Sequence, residues 1–153
     1  MLKRTLLLSL IIIVIDQAIK FLIAYLIPLN HYFYVIMNFF YLTYVKNFGA
    51  AWNILEGNRV FLIIVAMLSL GMIYYLFLKD KHLSKLDSLS YSLLIGGIIG
   101  NLIDRILWGH VVDYLGFNLW GYHFPIFNLA DICIVLSFIL IIYNLKEKGE
   151  KHE

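Results

Sequence analysis

The sequence predicts an all-α polytopic membrane protein, with four transmembrane helices, a small extracytoplasmic β-sheet and a short outer amphipathic helix. Three observations lead there. The chain has 153 residues, 62% of them hydrophobic and 14% charged, with a mean hydropathy of +0.85. Four stretches reach the roughly 20 apolar residues that a bilayer core demands. Between the first two lies an aromatic, strand-forming run, too short and too broken by polar residues for a fifth span. The same composition excludes other classes. A soluble chain this apolar would expose patches large enough to aggregate. Disordered chains are poor in apolar residues and rich in charge. A net charge of +2 is far too small for a nucleic-acid surface, so no nucleic-acid partner is expected. A single cysteine, Cys133, forms no internal disulfide, and its isoleucine neighbours make it a packing residue.

The whole chain reads as one membrane domain. Its spans are about 6–27, 60–78, 88–108 and 126–145, more than half of its length. Span one is too long for a cleavable signal peptide, lacks an A-x-A-like site after it, and carries Asp16 and Lys20; it reads as a retained helix. Orientation follows from lysine and arginine in the short flanks. Lys3, Arg4, Lys79, Lys81, Lys85, Lys146, Lys148 and Lys151 all fall on one side, eight of the chain's twelve basic residues. Lys46 and Arg59 fall on the other. Both termini are therefore expected in the cytoplasm, with loops 28–59 and 109–125 outside.

Outer loop 28–59 carries nine aromatics between Tyr32 and Trp52. They suit an interfacial aromatic belt and equally a small sheet on the membrane, touching a lipidated or apolar substrate. The stretch KNFGAAWNILEGN reads as a turn followed by a short amphipathic helix.

An ionisable group inside a span is costly, so each such group is a functional candidate. Asp16 and Lys20 stand four apart, acid first, the favourable order for an intrahelical ion pair. A pair that lowers the insertion cost and glues helices is the simpler reading; a proton relay or a general base is the other. In span three, Gly96 and Gly100 have the G-x-x-x-G spacing that admits a close neighbour. Asn101 and Arg105 share a face there, while Asp104 and Arg105 point about 100° apart. An arginine snorkelling to the outer interface would explain Arg105 but neither Asn101 nor Asp104. Asn128 and Asp131 share a face of span four, with Asp131 about 7.5 Å below the outer boundary. Asp113 lies just past span three. A short re-entrant or hairpin loop, with Gly116 and Gly121 as turn points, permits Asp113 to return beside Asp131.

Two carboxylates held close cannot both ionise. The ionised one can take a proton from water and the neutral one can donate to a carbonyl oxygen. That is a general base and a general acid for peptide hydrolysis, with neither metal nor covalent intermediate. Nearby Asn and Arg suit holding a peptide backbone and steadying negative charge. On composition alone this is one reading among several.

Five motifs then stand in order. DQAIK (Asp16 to Lys20) resembles a D-Q-x-x-K box, and NFGAAW (Asn47 to Trp52) is similar to N-x-G-A-A-F. GIIGNLIDR (Gly97 to Arg105) is similar to G-x-x-G-N-x-x-D-R; VVDY (Val111 to Tyr114) to V-x-D-F; FNLAD (Phe127 to Asp131) to F-N-x-A-D. Together, over nearly the whole chain, they resemble the bacterial lipoprotein signal peptidase family (signal peptidase II). The resemblance implies a membrane aspartic endopeptidase of the bacterial cytoplasmic membrane, its active site toward the extracytoplasmic face. Such enzymes cut the signal peptide from diacylglyceryl-modified prolipoproteins just before the lipidated cysteine. It implies Asp113 and Asp131 as the catalytic pair. Asn47, Gly49, Asn101, Arg105 and Asn128 would bind substrate or support the site; Asp16, Lys20, Asp104, Gly100 and Ala130 would have structural or supporting places. It implies no cofactor or metal. The expected partners are lipid-modified prolipoproteins and membrane lipid, and the chain is expected to be monomeric. The two departures, Trp52 and Tyr114, exchange one aromatic for another.

Four rival readings fit the residues less well. A serine–lysine peptidase needs a serine beside a deprotonated lysine, whereas Asp16 accompanies Lys20 and Ser9 is on the wrong side. A metalloprotease would draw on His110, Asp113 and His123, without an H-E-x-x-H box. Intramembrane aspartyl proteases of the G-x-G-D type lack their motif here. A proton-coupled transporter or channel subunit could also use membrane carboxylates, but no internal repeat or paired broken helix supports one.

Overall fold

The computed structural model describes residues 2–50, 54–79 and 83–150. Element order is α1 (Leu2–Leu26), β1 (Tyr32–Ile36), β2 (Phe40–Asn47), α2 (Arg59–Lys79), α3 (Lys85–Leu107), β3 (Val111–Leu119), β4 (Tyr122–His123) and α4 (Leu129–Glu150). All four helices carry windows long and apolar enough to cross a membrane. Half of the α3 window is buried inside the protein, against 17% for α1, 22% for α4 and 6% for α2. So α3 is the central helix, and α2 is a peripheral one whose side chains mostly face outward.

Glycines make that centre possible. A Cβ on Gly96 would stand 2.8 Å from Ile12 Cγ2, and one on Gly100 would stand 2.6 Å from Asp16 Oδ2, so both admit α1. A Cβ on Gly97 would meet the Ala130 carbonyl oxygen at 2.5 Å, so that glycine admits α4. Backbones this close let short polar side chains reach across. Thr5 and Ser88 hydroxyls meet at 2.8 Å, and Ser9 Oγ donates to the Ser92 carbonyl at 3.2 Å, sewing α1 to α3.

α3 begins with a reciprocal cap. Ser84 Oγ accepts from the Asp87 N–H at 3.0 Å, and Asp87 Oδ2 accepts from the Ser84 N–H at 2.8 Å. α4 starts at Leu129 rather than at Ile126, where hydropathy begins the span. Its preceding residues are committed elsewhere: Phe127 bridges to Leu115, and Asn128 caps the helix.

One four-stranded antiparallel sheet, ordered β1-β2-β3-β4, joins the helices. β1 and β2 form a hairpin, and β2 pairs β3 from Phe40↔Phe117 to Asn47↔Val111, with an irregularity between Leu42 and Val45. The 109–125 segment is thus a hairpin rather than a re-entrant loop. Its turn is Trp120 (φ 51) and Gly121 (φ 89), the two positive φ values that a tight hairpin requires. Gly116, expected as a second turn point, lies mid-strand instead. The Tyr41 ring lies across it, on the space that a Cβ would fill. Ile23, Val112 and Tyr114 form the buried cluster where α1 meets the sheet.

The outer amphipathic helix expected in KNFGAAWNILEGN does not form in the described part of that stretch. Residues 51–53, including Trp52, lie outside the described residues. Gly49 N–H donates to Asn47 Oδ1 at 2.9 Å, a local turn, and Ala50 N–H donates to the Ile54 carbonyl at 2.7 Å. Leu55 (φ 62) and Gly57 (φ 80) then take left-handed conformations that no α-helix accommodates.

Candidate active site

At the junction of α1, α3, α4 and β3 the polar residues of the five motifs converge. Asp113 sits on β3, 3% exposed, and Asp131 is the third residue of α4. Asn128 holds both. Its Nδ2 donates to Asp113 Oδ1 at 2.7 Å, and its backbone N–H donates to Asp131 Oδ2 at 3.1 Å. The Asp131 N–H donates back to Asn128 Oδ1 at 3.0 Å, which closes a capping box like that of α3. Tyr114 and Leu115 N–H groups both donate to the Phe127 carbonyl, at 3.0 and 2.8 Å. That bridge returns the chain from the hairpin and sets Asn128 beside Asp113.

The other oxygens of both acids are also occupied. Asn47 Nδ2 donates to Asp113 Oδ2 at 2.9 Å, and Asn101 Nδ2 donates to Asp131 Oδ1 at 2.7 Å. Burial raises Asp113, the negative charge of Asp131 raises it further, and the Asn47 and Asn128 hydrogen bonds and Lys20 only partly offset this; the carboxyl is pushed up to about 7.

Behind this layer lies a buried charge network. Lys20 Nζ contacts Asp16 Oδ2 at 2.8 Å, Asp104 Oδ2 at 3.0 Å and Asn101 Oδ1 at 2.9 Å. All three ammonium donors are thereby used, and no serine shares them. Asp16 Oδ1 also accepts the Ala130 N–H at 3.0 Å, an orphan donor of the first turn of α4. Asp104 Oδ2 accepts the Val112 N–H at 3.1 Å. The Asp16–Lys20 pair is therefore intrahelical, as its spacing implied, and ties three helices and β3 besides. Arg105 does not snorkel free: its Nη2 donates to the Gly49 carbonyl at 3.0 Å, so α3 grips the Asn47–Ala50 turn.

Two residues had no role in the sequence reading. Gln17 Nε2 donates to Asp104 Oδ1 at 2.9 Å and to the Gly100 carbonyl at 3.1 Å. Its place inside DQAIK was the available signal. The Tyr114 hydroxyl accepts the Leu129 N–H at 3.1 Å and caps α4, a bond that phenylalanine in a V-x-D-F box cannot make; burial pushes this phenol up to about 12. His110 turns to the Trp108 carbonyl at 3.0 Å and lies against the Phe48 ring. No group of three His, Cys, Asp or Glu suited to a metal ion occurs among the described residues.

Asp113 opens into a cleft of about 420 Å³, lined by Val45, Lys46, Asn47, Tyr122, His123, Pro125 and Ile126. A second hollow of about 380 Å³ shares His123, Pro125 and Ile126 with it and runs to Tyr32, Tyr34 and Tyr41. All five β1 residues are exposed and apolar or aromatic, from Tyr32 to Ile36.

The chain is also similar to known proteins. A family model described as signal peptidase (SPase) II matches residues 8–146. Lipoprotein signal peptidases of Staphylococcus aureus strains JH9 and Newman are each 39% identical over 150 residues, covering 97% of this chain and 92% of the relative. A bacterial membrane enzyme solved in meso at 2.3 Å superposes with a TM-score of 0.90 at 37% identity, over 97% of this chain and 91% of that one. Another, at 1.9 Å, gives 0.83 at 39% identity, over 92% and 91%.

Proposed function

The chain belongs to the signal peptidase II family, a bacterial multi-pass membrane protease family, and from that premise we propose that Asp113 and Asp131 hydrolyse the peptide bond just before the lipidated cysteine of diacylglyceryl-modified prolipoproteins. The observation that carries this reading is Asn128, whose amide and backbone N–H hold one oxygen of each acid. Two carboxyls held by one asparagine do not both ionise readily, so one keeps a proton and the pair titrates as a unit. The ionised member takes a proton from water as its oxygen attacks the scissile carbonyl carbon. The neutral member protonates the carbonyl oxygen, giving a gem-diol. Collapse breaks the C–N bond: the carboxyl that took water's proton gives it to the nitrogen, the other carboxylate takes a proton back from a gem-diol hydroxyl, and the new amino terminus leaves on the lipidated cysteine. Asn47, Gly49, Asn101, Arg105 and Asn128 support the pair or the substrate backbone; Asp16, Lys20, Asp104, Gly100 and Ala130 hold the helices that carry them.

Membrane placement follows from charge and surface. With both termini and their lysines in the cytoplasm, the sheet lies at the extracytoplasmic face of the cytoplasmic membrane. There the exposed aromatic β1 meets lipid, and the cleft over Asp113 faces a precursor whose acyl chains stay in the bilayer. One chain carries every group named, which fits a monomer.

The test is Asp113→Asn and Asp131→Asn, assayed on a lipidated prolipoprotein in detergent. Each change alone is expected to abolish cleavage while leaving membrane insertion intact. Substantial activity in either variant overturns the assignment.

A further inference from the structure

Arg59 is one of two basic residues on the sparsely basic side of the chain, and the five motifs leave it unused. It opens α2, the helix least buried in the bundle. Its Nε donates to the Arg105 carbonyl at 2.7 Å and its Nη2 to the Ile106 carbonyl at 2.8 Å. These are last-turn carbonyls of α3, which lack partners within the helix. Gly109 (φ 80) turns the chain just beyond, and a Cβ there would stand 3.5 Å from the Arg59 guanidinium. A planar fork thus clamps the end of α3 from a neighbouring helix.

The clamped residue grips in turn. Arg105 donates to the Gly49 carbonyl, Gly49 N–H donates to Asn47 Oδ1, and Asn47 Nδ2 donates to Asp113 Oδ2, at 3.0, 2.9 and 2.9 Å. We propose that Arg59 is a positioning residue, which fixes the end of α3 so that Arg105 holds the Asn47–Ala50 turn and aims the Asn47 amide at Asp113. This rests on the reading of Asp113 as a hydrolytic acid. Here the residue whose backbone is clamped is the one whose side chain grips the turn.

Arg59→Gln and Arg59→Lys, alone and with Asn47→Ala, test it in detergent with a lipidated prolipoprotein. Arg59→Gln is expected to lower kcat about tenfold with KM nearly unchanged, a smaller loss than the roughly hundredfold that a 1 Å misplacement can cost. The alkaline limb of the pH profile moves upward by about one unit, as in Asn47→Ala, because Asp113 loses a donor to its charged form. Asp131, Lys20 and Arg105, whose charges also act on Asp113, are unchanged in every variant. Arg59→Gln with Asn47→Ala is no worse than Asn47→Ala alone, because both cut one chain of contacts. Arg59→Lys keeps donors but loses the fork, so it restores part of kcat; if Arg59→Gln does not fold, Arg59→Lys carries the same comparison. Unchanged kcat, an unmoved limb, or losses that add to those of Asn47→Ala overturn the proposal. Full activity in Asp113→Asn, run alongside, overturns the hydrolytic reading instead.

Discussion

Replacing Lys20 by methionine tests the buried network most directly. The ammonium is 3% exposed and lies 2.8 and 3.0 Å from oxygens of Asp16 and Asp104, both essentially inaccessible. Methionine keeps the apolar stem and removes the charge, leaving two carboxylates in one dry site with no cation between them. Removing one partner of a buried ion pair costs about 3–5 kcal/mol. Each acid keeps a backbone donor, Ala130 N–H for Asp16 and Val112 N–H for Asp104, so the middle of that range is expected. The measurement is the unfolding free energy in mixed micelles, with Asp104→Asn made alone and in combination. Asp104→Asn in the Lys20→Met background should recover part of the loss, because one stranded charge is gone, although it is destabilising by itself. A Lys20→Met loss below about 1 kcal/mol, or no recovery in the double variant, refutes the network as the reason these charges are tolerated. Lost cleavage at unchanged stability would revive the serine–lysine reading.

Two further outcomes follow from the site. Asp113 is raised from 3.8 to about 7, mainly by burial. A carboxyl raised on folding favours the native state while protonated, so its stability is full below the unfolded value and declines as pH rises from there to about 7. Asp113→Asn, which cannot ionise, should therefore melt higher than the wild type at pH 8 and like it at pH 4; equal melting at both pH values contradicts the shift. Tyr114→Phe removes the acceptor of the Leu129 N–H and should lower stability by about 1 kcal/mol in the same micelle assay. No change would mean that another acceptor serves that amide.

Much of the architecture was legible because a bilayer makes it a local property. Each span must bury its own backbone hydrogen bonds and offer about 20 apolar residues, and all four helices occupy stretches that hydropathy marks. The start of α4 was less legible, because Phe127 bridges to the sheet and Asn128 caps the helix, and hydropathy sees neither. Gly116 was misread for a related reason. Glycine marks turns when read along the chain, but here its lack of a side chain serves Tyr41 across the sheet. In the described part of its stretch the outer amphipathic helix does not form, because residues there, Leu55 among them, take left-handed conformations that no propensity signals.

The candidate site divides the same way. Residue types and depth in the spans made Asp16, Lys20, Asp104, Arg105 and Asp131 stand out, with Asp113 just beside a span, since charges are costly in lipid wherever they occur. Motif order along the chain added the family. Apart from the Asp16–Lys20 pair, whose spacing already implied it, which group meets which was a matter for tertiary structure. Asp16 takes the Ala130 N–H across 114 positions, and Asn47 reaches Asp113 across 66. Such contacts depend on how closely α3 lets α1 and α4 approach, and on the one bridge from Leu115 to Phe127 that brings β3 alongside α4. Transfer free energy adds up residue by residue and can be read from sequence. A hydrogen-bonded constellation exists only where distant backbones are held within about 3 Å of its partners, and that is decided by the packing of the whole fold.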